Sequence, residues 1–106
     1  MSFPADINYP DGTRCSFIAP IQTTVLVAAL KNNVYIRHDC GGKAQCGTCR
    51  VTILAGKATA PHDRERALLE RLNAESGERL ACQLYAMAPL TLQARFGRTD
   101  PKVRTV

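Results

Sequence analysis

Tryptophan is absent from this 106-residue chain, and aromatic residues make up only 6% of it. Long apolar runs are absent as well: the longest covers residues 25–30, whereas a membrane-spanning helix needs about 20 residues. The first residues show no basic stretch followed by an apolar one, unlike a secretory signal. We therefore expect a cytoplasmic protein that does not enter a membrane.

What the chain does contain is typical of one globular domain. Hydrophobic residues make up 45% and charged residues 22% of the composition, which is ordinary for a folded protein and argues against disorder. The length suits a single domain over residues 1–106. Residues 97–106 are polar, and we expect them to form a loose C-terminal tail.

Turn signals and apolar patterning predict the element order ββαβαββ. The Asp11-Gly12 pair predicts a hairpin turn, and a threonine precedes the first helix as a cap. In the second helix, Leu68, Leu69 and Leu72 form the apolar stripe. The predicted strands are 3–9, 13–19, 50–54, 79–86 and 90–96, the helices are 23–31 and 63–73, and a long loop lies between residues 34 and 49.

Five cysteines are present, an odd number that does not fit an extracellular disulfide framework. Four of them follow the spacing Cys40-x5-Cys46-x2-Cys49-x32-Cys82. These thiols converge only if the loop folds over and a distant strand closes the site. Four soft thiolates suit either Zn²⁺ or an iron–sulfur cluster.

The composition of the loop favours the cluster. Gly41, Gly42, Ala44 and Gly47 allow positive φ angles and close approach, so that backbone N–H groups can point at sulfur atoms. Zinc folds more often contain two Cys-x2-Cys knuckles, and Cys82 has no second cysteine nearby. A zinc-stabilised interaction module nevertheless stays open as the alternative, as does a redox sensor.

Two segments of the chain carry a resemblance to a known family. The loop sequence Cys-Gly-Gly-x3-Cys-Gly-Thr-Cys and the segment Arg-Leu-Ala-Cys-Gln at residues 79–83 resemble the plant-type and vertebrate-type [2Fe–2S] ferredoxins. The resemblance extends over residues 3–96. Five residues separate the first two cysteines, as in the adrenodoxin-like branch, whereas the plant-type pattern has four.

The resemblance implies a fold, a cofactor and a function. It implies an α+β fold of the β-grasp (ubiquitin-like) type, a mixed sheet packed on a helix. It also implies a [2Fe–2S] cluster with Cys40 and Cys46 on the outer iron, and Cys49 and Cys82 on the inner one. The chain would then be a monomeric one-electron carrier, not an enzyme. A flavin-dependent reductase would supply its electrons, and an oxygenase or a cluster-assembly system would accept them.

The net charge of +5 bears on the choice of partner. We expect a partner with an acidic face and no binding of nucleic acid, since the basic tail lacks interleaved aromatic residues. Two docking surfaces are open: the helix at 63–73, and a basic surface of Lys43, Arg50 and Lys57. The helix charges alternate in sign and include Arg66 and Glu70 at i,i+4 spacing, which is also typical of a solvated face.

Three further side chains have simpler interpretations. Cys15 lies in the predicted hairpin, and we expect a small buried side chain there instead of a reactive thiol. His38 lies two residues before Cys40 and is expected to be a solvated loop residue, with tuning of the cluster as the alternative. A Rieske-type site needs two histidine ligands, and His62 has no fitting sequence context.

Overall fold

The computed structural model describes residues 1–38 and 47–96. Over these residues the chain follows the predicted order ββαβαββ. The elements are β1 (Ser2–Asn8), β2 (Arg14–Pro20), α1 (Val25–Lys31), β3 (Arg50–Ala55), α2 (Asp63–Arg71), β4 (Glu78–Leu80) and β5 (Leu90–Ala94).

The strands form one mixed sheet in the order β2-β1-β5-β3-β4. β1 and β5 run parallel, with Ile7 opposite Leu92, and the other neighbouring pairs are antiparallel. β5 therefore lies in the middle, with the β1–β2 hairpin on one side and β3–β4 on the other. Of the two strands next to the cysteines, β3 lies inside the sheet and β4 forms its edge. Cys49 directly precedes β3, and Cys82 follows the end of β4 by two residues.

The turn of the first hairpin forms at the predicted Asp-Gly pair. Asp11 accepts a hydrogen bond from the Thr13 backbone N–H at 2.9 Å, and Gly12 has φ +88°. On the outer face of the hairpin, Asp6 accepts hydrogen bonds from Ser16 and Arg14. These bonds stabilise the carboxylate and hold the pKa of Asp6 below its usual value.

Helix α1 begins where a threonine caps it, as predicted. The Thr24 hydroxyl accepts from the Val27 N–H at 3.3 Å. The helix is apolar on the face that packs against β2 and buries Val25, Leu26, Ala28 and Ala29. Its β-branched residues do not prevent helix formation because burial of this face outweighs their small propensity penalty.

The core lies between the sheet and the two helices. Its largest fully buried apolar side chains include Ile7, Val25, Val51, Leu80, Leu84 and Leu92. Helix α2 packs on β4 and buries Leu68, with Leu69 and Leu72 partly buried beside it, which confirms the predicted stripe. Neither of the described helices is long and apolar enough to cross a bilayer.

One predicted element is wrong in its extent. The strand expected over residues 79–86 ends at Leu80, and the chain then turns, with the Gln83 N–H bonded to the Leu80 carbonyl at 2.9 Å. The apolar run beyond Leu80 indicates burial and not extended structure. Helix α2 is also shorter than predicted, ending at Arg71, and Asn73 has a positive φ of 52°.

Candidate metal centre

Cys49 and Cys82 lie at the same end of the β3–β4 pair. Arg50 pairs with Leu80 in the ladder, and the next hydrogen bond runs from the Ala81 N–H to the Cys49 carbonyl at 3.1 Å. Cys49 is 2% exposed and Cys82 is 6% exposed. The sheet register thus brings two cysteines that are 33 positions apart into neighbouring, buried turns.

The turn that carries Cys82 is held by the start of α1. The Leu26 N–H donates to the Ala81 carbonyl at 2.9 Å, and the Val25 N–H donates to the Leu84 carbonyl at 3.0 Å. N–H groups in the first turn of a helix have no partner inside the helix. These two hydrogen bonds therefore give partners both to the N–H groups of α1 and to the carbonyl groups of the Cys82 turn. The position of Cys82 therefore depends on α1 as well as on β4.

Gly47 marks the point at which the described chain resumes, two residues before Cys49. Its φ is +72°, and a Cβ there would lie 2.3 Å from Cδ1 of Leu72. The expectation that this loop uses glycine for positive φ and close approach is confirmed at Gly47. Cys40 and Cys46, with Gly41, Gly42 and Lys43, lie outside the described residues, so the predictions for them stay predictions.

Side chains bind the backbone carbonyl groups of the segment that leads into the loop, and these contacts anchor it. The Tyr9 hydroxyl donates to the Tyr35 carbonyl at 2.8 Å, and His38 Nδ1 lies 2.6 Å from the Ile36 carbonyl. The Arg37 guanidinium lies over the Phe96 ring, 5.2 Å from its centroid. His38 is half-buried, and its hydrogen bond to the backbone differs from the purely solvated side chain that was expected.

Arg50 does not form an open basic surface, which corrects the prediction for this residue. Its side chain is only 12% exposed; Nε donates to the Gly47 carbonyl at 3.1 Å, and an amino group lies 3.9 Å from the buried Glu78 carboxylate. Arg95 pairs with the same carboxylate at 3.2 Å. A buried carboxylate needs such partners, so Arg50 is held inward and fixes the backbone beside Cys49.

Glu65 is also buried, although the helix charge pattern predicted a solvated face. Both of its oxygens accept from the Arg79 guanidinium, at 2.6 and 2.9 Å, and one also accepts from the Leu80 N–H at 3.0 Å. Arg79 donates in addition to the Thr59 carbonyl at 2.7 Å. This bidentate pair ties α2 to β4 directly before the Cys82 turn.

Sequence reasoning missed the roles of Gln83 and His62. Gln83 Nε2 donates to Cys82 Sγ at 3.5 Å, and Gln83 Oε1 lies 2.7 Å from His62 Nε2. The signal for Gln83 was its place directly after a cysteine in the Arg-Leu-Ala-Cys-Gln segment. No sequence signal marks His62, because the contact joins residues 21 positions apart.

Cys15 is placed away from this centre, on the edge strand β2. It is partly buried on the core side of the strand, together with Phe17 and Ala19. The expectation of a small side chain packed against the core is confirmed. The contacts of Cys15 are those of a structural thiol.

The described part of the centre fits an iron–sulfur cluster. It offers two buried thiols on rigid turns, a side-chain N–H directed at one of the sulfurs, and a glycine with positive φ at the edge of the loop. Thiolate ligands with hydrogen bonds to sulfur are the environment in which such clusters are held and tuned.

Residues 8–87 match the model of a known family, the 2Fe-2S iron-sulfur cluster binding domain. The chain belongs to this family. The matched range includes Cys40, Cys46, Cys49 and Cys82. The zinc module that the cysteine spacing left open is therefore set aside, and the cofactor of this ferredoxin is a [2Fe–2S] cluster.

Individual relatives agree with the family. Putidaredoxin from Pseudomonas putida is 38% identical over 80 residues, which cover 70% of this chain and 75% of putidaredoxin. A component of the Na⁺-translocating NADH-quinone reductase from Chlamydia pneumoniae is 33% identical over 90 residues, or 85% of this chain. This ferredoxin spans only 21% of the length of that component.

Solved structures confirm the fold. The ferredoxin from Rhodopseudomonas palustris HaA2 superposes with a TM-score of 0.72 at 27% identity, covering 91% of this chain and 99% of that one. A chain in the covalent putidaredoxin reductase–putidaredoxin complex superposes with a TM-score of 0.65 at 29% identity, covering 86% and 96%. The α+β fold of the β-grasp type is thus confirmed, and this ferredoxin is an electron carrier, not an enzyme.

Proposed function

We propose that Cys40, Cys46, Cys49 and Cys82 hold the [2Fe–2S] cluster and that the chain carries single electrons from a flavin-dependent reductase to an oxygenase or a similar redox acceptor. When bound, the cluster takes up and releases one electron. The protein's own part is to bury the thiolates, keep them in position and present them to partners. The observation that carries this proposal is the adjacency of the buried Cys49 and Cys82 turns.

A reductase partner is supported by the covalent complex of putidaredoxin reductase with putidaredoxin. One chain of that complex superposes on 86% of this protein. An oxygenase or a cluster-assembly system is the acceptor class that the family resemblance favours. We also propose that this chain works as a monomer in the cytoplasm, where a reducing environment keeps thiols available as ligands.

Helix α2 is the docking surface that we favour, because both of its ends contact the centre. At its start, His62 reaches Gln83 beside Cys82, and just past its end Leu72 packs against Gly47 beside Cys49. Arg64 and Arg71 lie exposed on this helix. They offer positive charge to an acidic partner, whereas Arg66 is paired with Asp63 and Arg50 is turned inward.

The ligand set is tested by single cysteine substitutions in anaerobically purified protein. We expect Cys46→Ser and Cys82→Ser to lose most of the visible absorption and the EPR signal that dithionite produces, because oxygen replaces a soft thiolate ligand. Cys15→Ser is the matched control and should leave both spectra unchanged, since Cys15 packs on β2 away from the centre.

Two outcomes contradict this assignment. A Cys15→Ser protein that is colourless would place Cys15 among the ligands. Full retention of the spectra in Cys46→Ser or Cys82→Ser would remove that residue from the ligand set. Iron and acid-labile sulfide, measured in equal amounts in the wild-type protein, establish the cofactor independently of the variants.

A further inference from the structure

The Gln83 side chain bridges a cysteine and a histidine. Its amide nitrogen, Nε2, donates to Cys82 Sγ at 3.5 Å, and its amide oxygen, Oε1, lies 2.7 Å from His62 Nε2. An amide oxygen has no hydrogen to donate, so His62 Nε2 is the donor in the second contact. The hydrogen bonds therefore run in one direction, from His62 through Gln83 to Cys82 Sγ.

The backbone on both sides of this bridge is fixed. The Gln83 N–H is bonded to the Leu80 carbonyl at 2.9 Å, which holds the turn. His62 lies at the start of α2, and that helix is tied to β4 by the pair of Glu65 and Arg79. The two side chains thus meet between elements whose backbones are held in place, in a contact at the exposed start of α2.

Helix capping does not explain the presence of His62. It occupies the N-cap position of α2, where Ser, Thr, Asp or Asn normally bonds to the first turn. Among the described residues, its side chain makes no capping hydrogen bond to the helix. The imidazole is directed to Gln83 instead, which indicates a role at the cysteine turn.

The expected effect on a ligand sulfur follows from charge. Reduction adds one negative charge to the cluster and its thiolates, and an N–H donor to a thiolate stabilises that charge. Hydrogen bonds that follow one another polarise each other, so a donor on Oε1 strengthens the N–H that faces Sγ. Loss of either bond should therefore lower the reduction potential.

We propose that Gln83 raises the reduction potential of the cluster through its hydrogen bond to Cys82 Sγ, and that His62 is a positioning residue that holds and polarises the Gln83 amide. This inference rests on the proposed ligation by Cys82. It assigns a function to two side chains outside the cysteine set.

The test is a redox titration of the holoprotein, monitored by visible absorption and EPR. Gln83→Leu keeps the approximate volume but removes the donor, and we expect the reduction equilibrium to shift up to tenfold toward the oxidised form, about 59 mV for one electron. His62→Ala should shift it in the same direction by a smaller amount. His62→Gln restores a donor and should recover most of the wild-type potential, which separates hydrogen bonding from the loss of an imidazole.

A double variant tests whether His62 acts through Gln83. In the Gln83→Leu background, His62→Ala should cause no further shift, because the group that it positions is gone. Ala67→Ser, an exposed change on the same helix, is the neutral control and should leave the potential unchanged.

Each result has a defined consequence. A wild-type potential in Gln83→Leu with an intact spectrum overturns the tuning role, and a full His62→Ala shift in the Gln83→Leu background overturns the positioning role. If Gln83→Leu loses the cluster, the two His62 variants test the proposal instead. A lowered potential in His62→Ala that is recovered in His62→Gln supports it, and an unchanged potential in His62→Ala overturns it. Retained spectra in Cys82→Ser would instead show that the ligand assignment has failed.

Discussion

At the scale of single residues, Gly47 is the point at which the chain beside Cys49 packs against Leu72, at the end of helix α2. Its φ of +72° lies in the left-handed region, and its Cα surface is covered by the Leu72 side chain. Alanine here faces two separate costs: the positive φ of the backbone, and the contact of its Cβ with the end of the Leu72 side chain, which must shift. Gly12 has a similar φ of +88°, but a Cβ there meets open space among the described residues.

These two glycines form a matched pair for substitution. Alanine at either position costs about 1–2 kcal/mol for the left-handed conformation, and only Gly47→Ala must also displace Leu72. We expect Gly47→Ala to release the cluster several-fold faster than the wild type during exposure to an iron chelator, followed by visible absorption. Gly12→Ala should match the wild type in this assay; equal release from the two variants would exclude a role for the contact with Leu72.

At the scale of secondary-structure elements, the ion pair of Glu65 and Arg79 holds α2 to β4. Glu65 is fully buried and Arg79 is 11% exposed. Each charge therefore offsets the cost of removing the other from water. Arg79 lies close before Cys82 in sequence, and the Glu65 carboxylate also accepts from the Leu80 N–H. The integrity of this ion pair therefore affects the position of a proposed ligand as well as the stability of the fold.

Breaking this pair should be strongly destabilising. Glu65→Ala leaves a buried guanidinium without its carboxylate, which costs about 3–5 kcal/mol and should lower the thermal midpoint by at least about 10 °C. Asp63→Ala, which removes an exposed ion pair on the same helix, should cost at most about 1 kcal/mol. Circular dichroism at a fixed scan rate measures both, and similar midpoints for the two variants would contradict the role given to Glu65.

At the scale of the whole molecule, the positive charge of the chain controls its encounters. Four thiolates around an oxidised cluster carry a net charge of about −2, so the holoprotein keeps about +3 of the +5 of the polypeptide. Long-range attraction between this net positive charge and a negatively charged partner raises the association rate, and dissolved salt screens the attraction. The exposed arginines on α2 place part of that charge next to the centre.

Small redox reagents of opposite charge can measure this effect directly. We expect oxidation of the reduced protein by anionic ferricyanide to slow several-fold between low salt and about 0.5 M salt, and oxidation by cationic hexaamminecobalt(III) to accelerate. Arg64→Glu should weaken the salt effect more than Lys31→Glu, although both change the net charge by the same amount. Lys31 lies at the end of α1 that points away from Cys82.

Stopped-flow measurement over a range of salt concentrations gives both rates. Equal effects of the two substitutions would show that net charge alone matters and that α2 has no special place in docking. A rate with ferricyanide that does not change with salt would exclude electrostatic steering at this centre.

Predictability from sequence also differs with scale. The order of elements, the Asp-Gly hairpin turn and the Thr24 cap are local properties, and each is confirmed. The predicted strand beyond Leu80 is wrong because hydrogen bonds from α1, which is distant in sequence, bend the backbone at Ala81. Propensity at residues 81–86 carries no information about that contact.

The sequence by itself favoured an iron–sulfur cluster over zinc, because the small residues between the cysteines suit a loop wrapped around a cluster, and its resemblance to the [2Fe–2S] ferredoxins implied the fold. The match to the family model then set zinc aside. Only the tertiary structure decided which charged side chains are exposed to a partner. Arg50 and Glu65 belong to alternating or basic patterns in the sequence, yet both are turned inward by partners on other elements. Burial and pairing at long range are set by the packing of sheet and helices, and the same packing brings His62 to Gln83 beside Cys82.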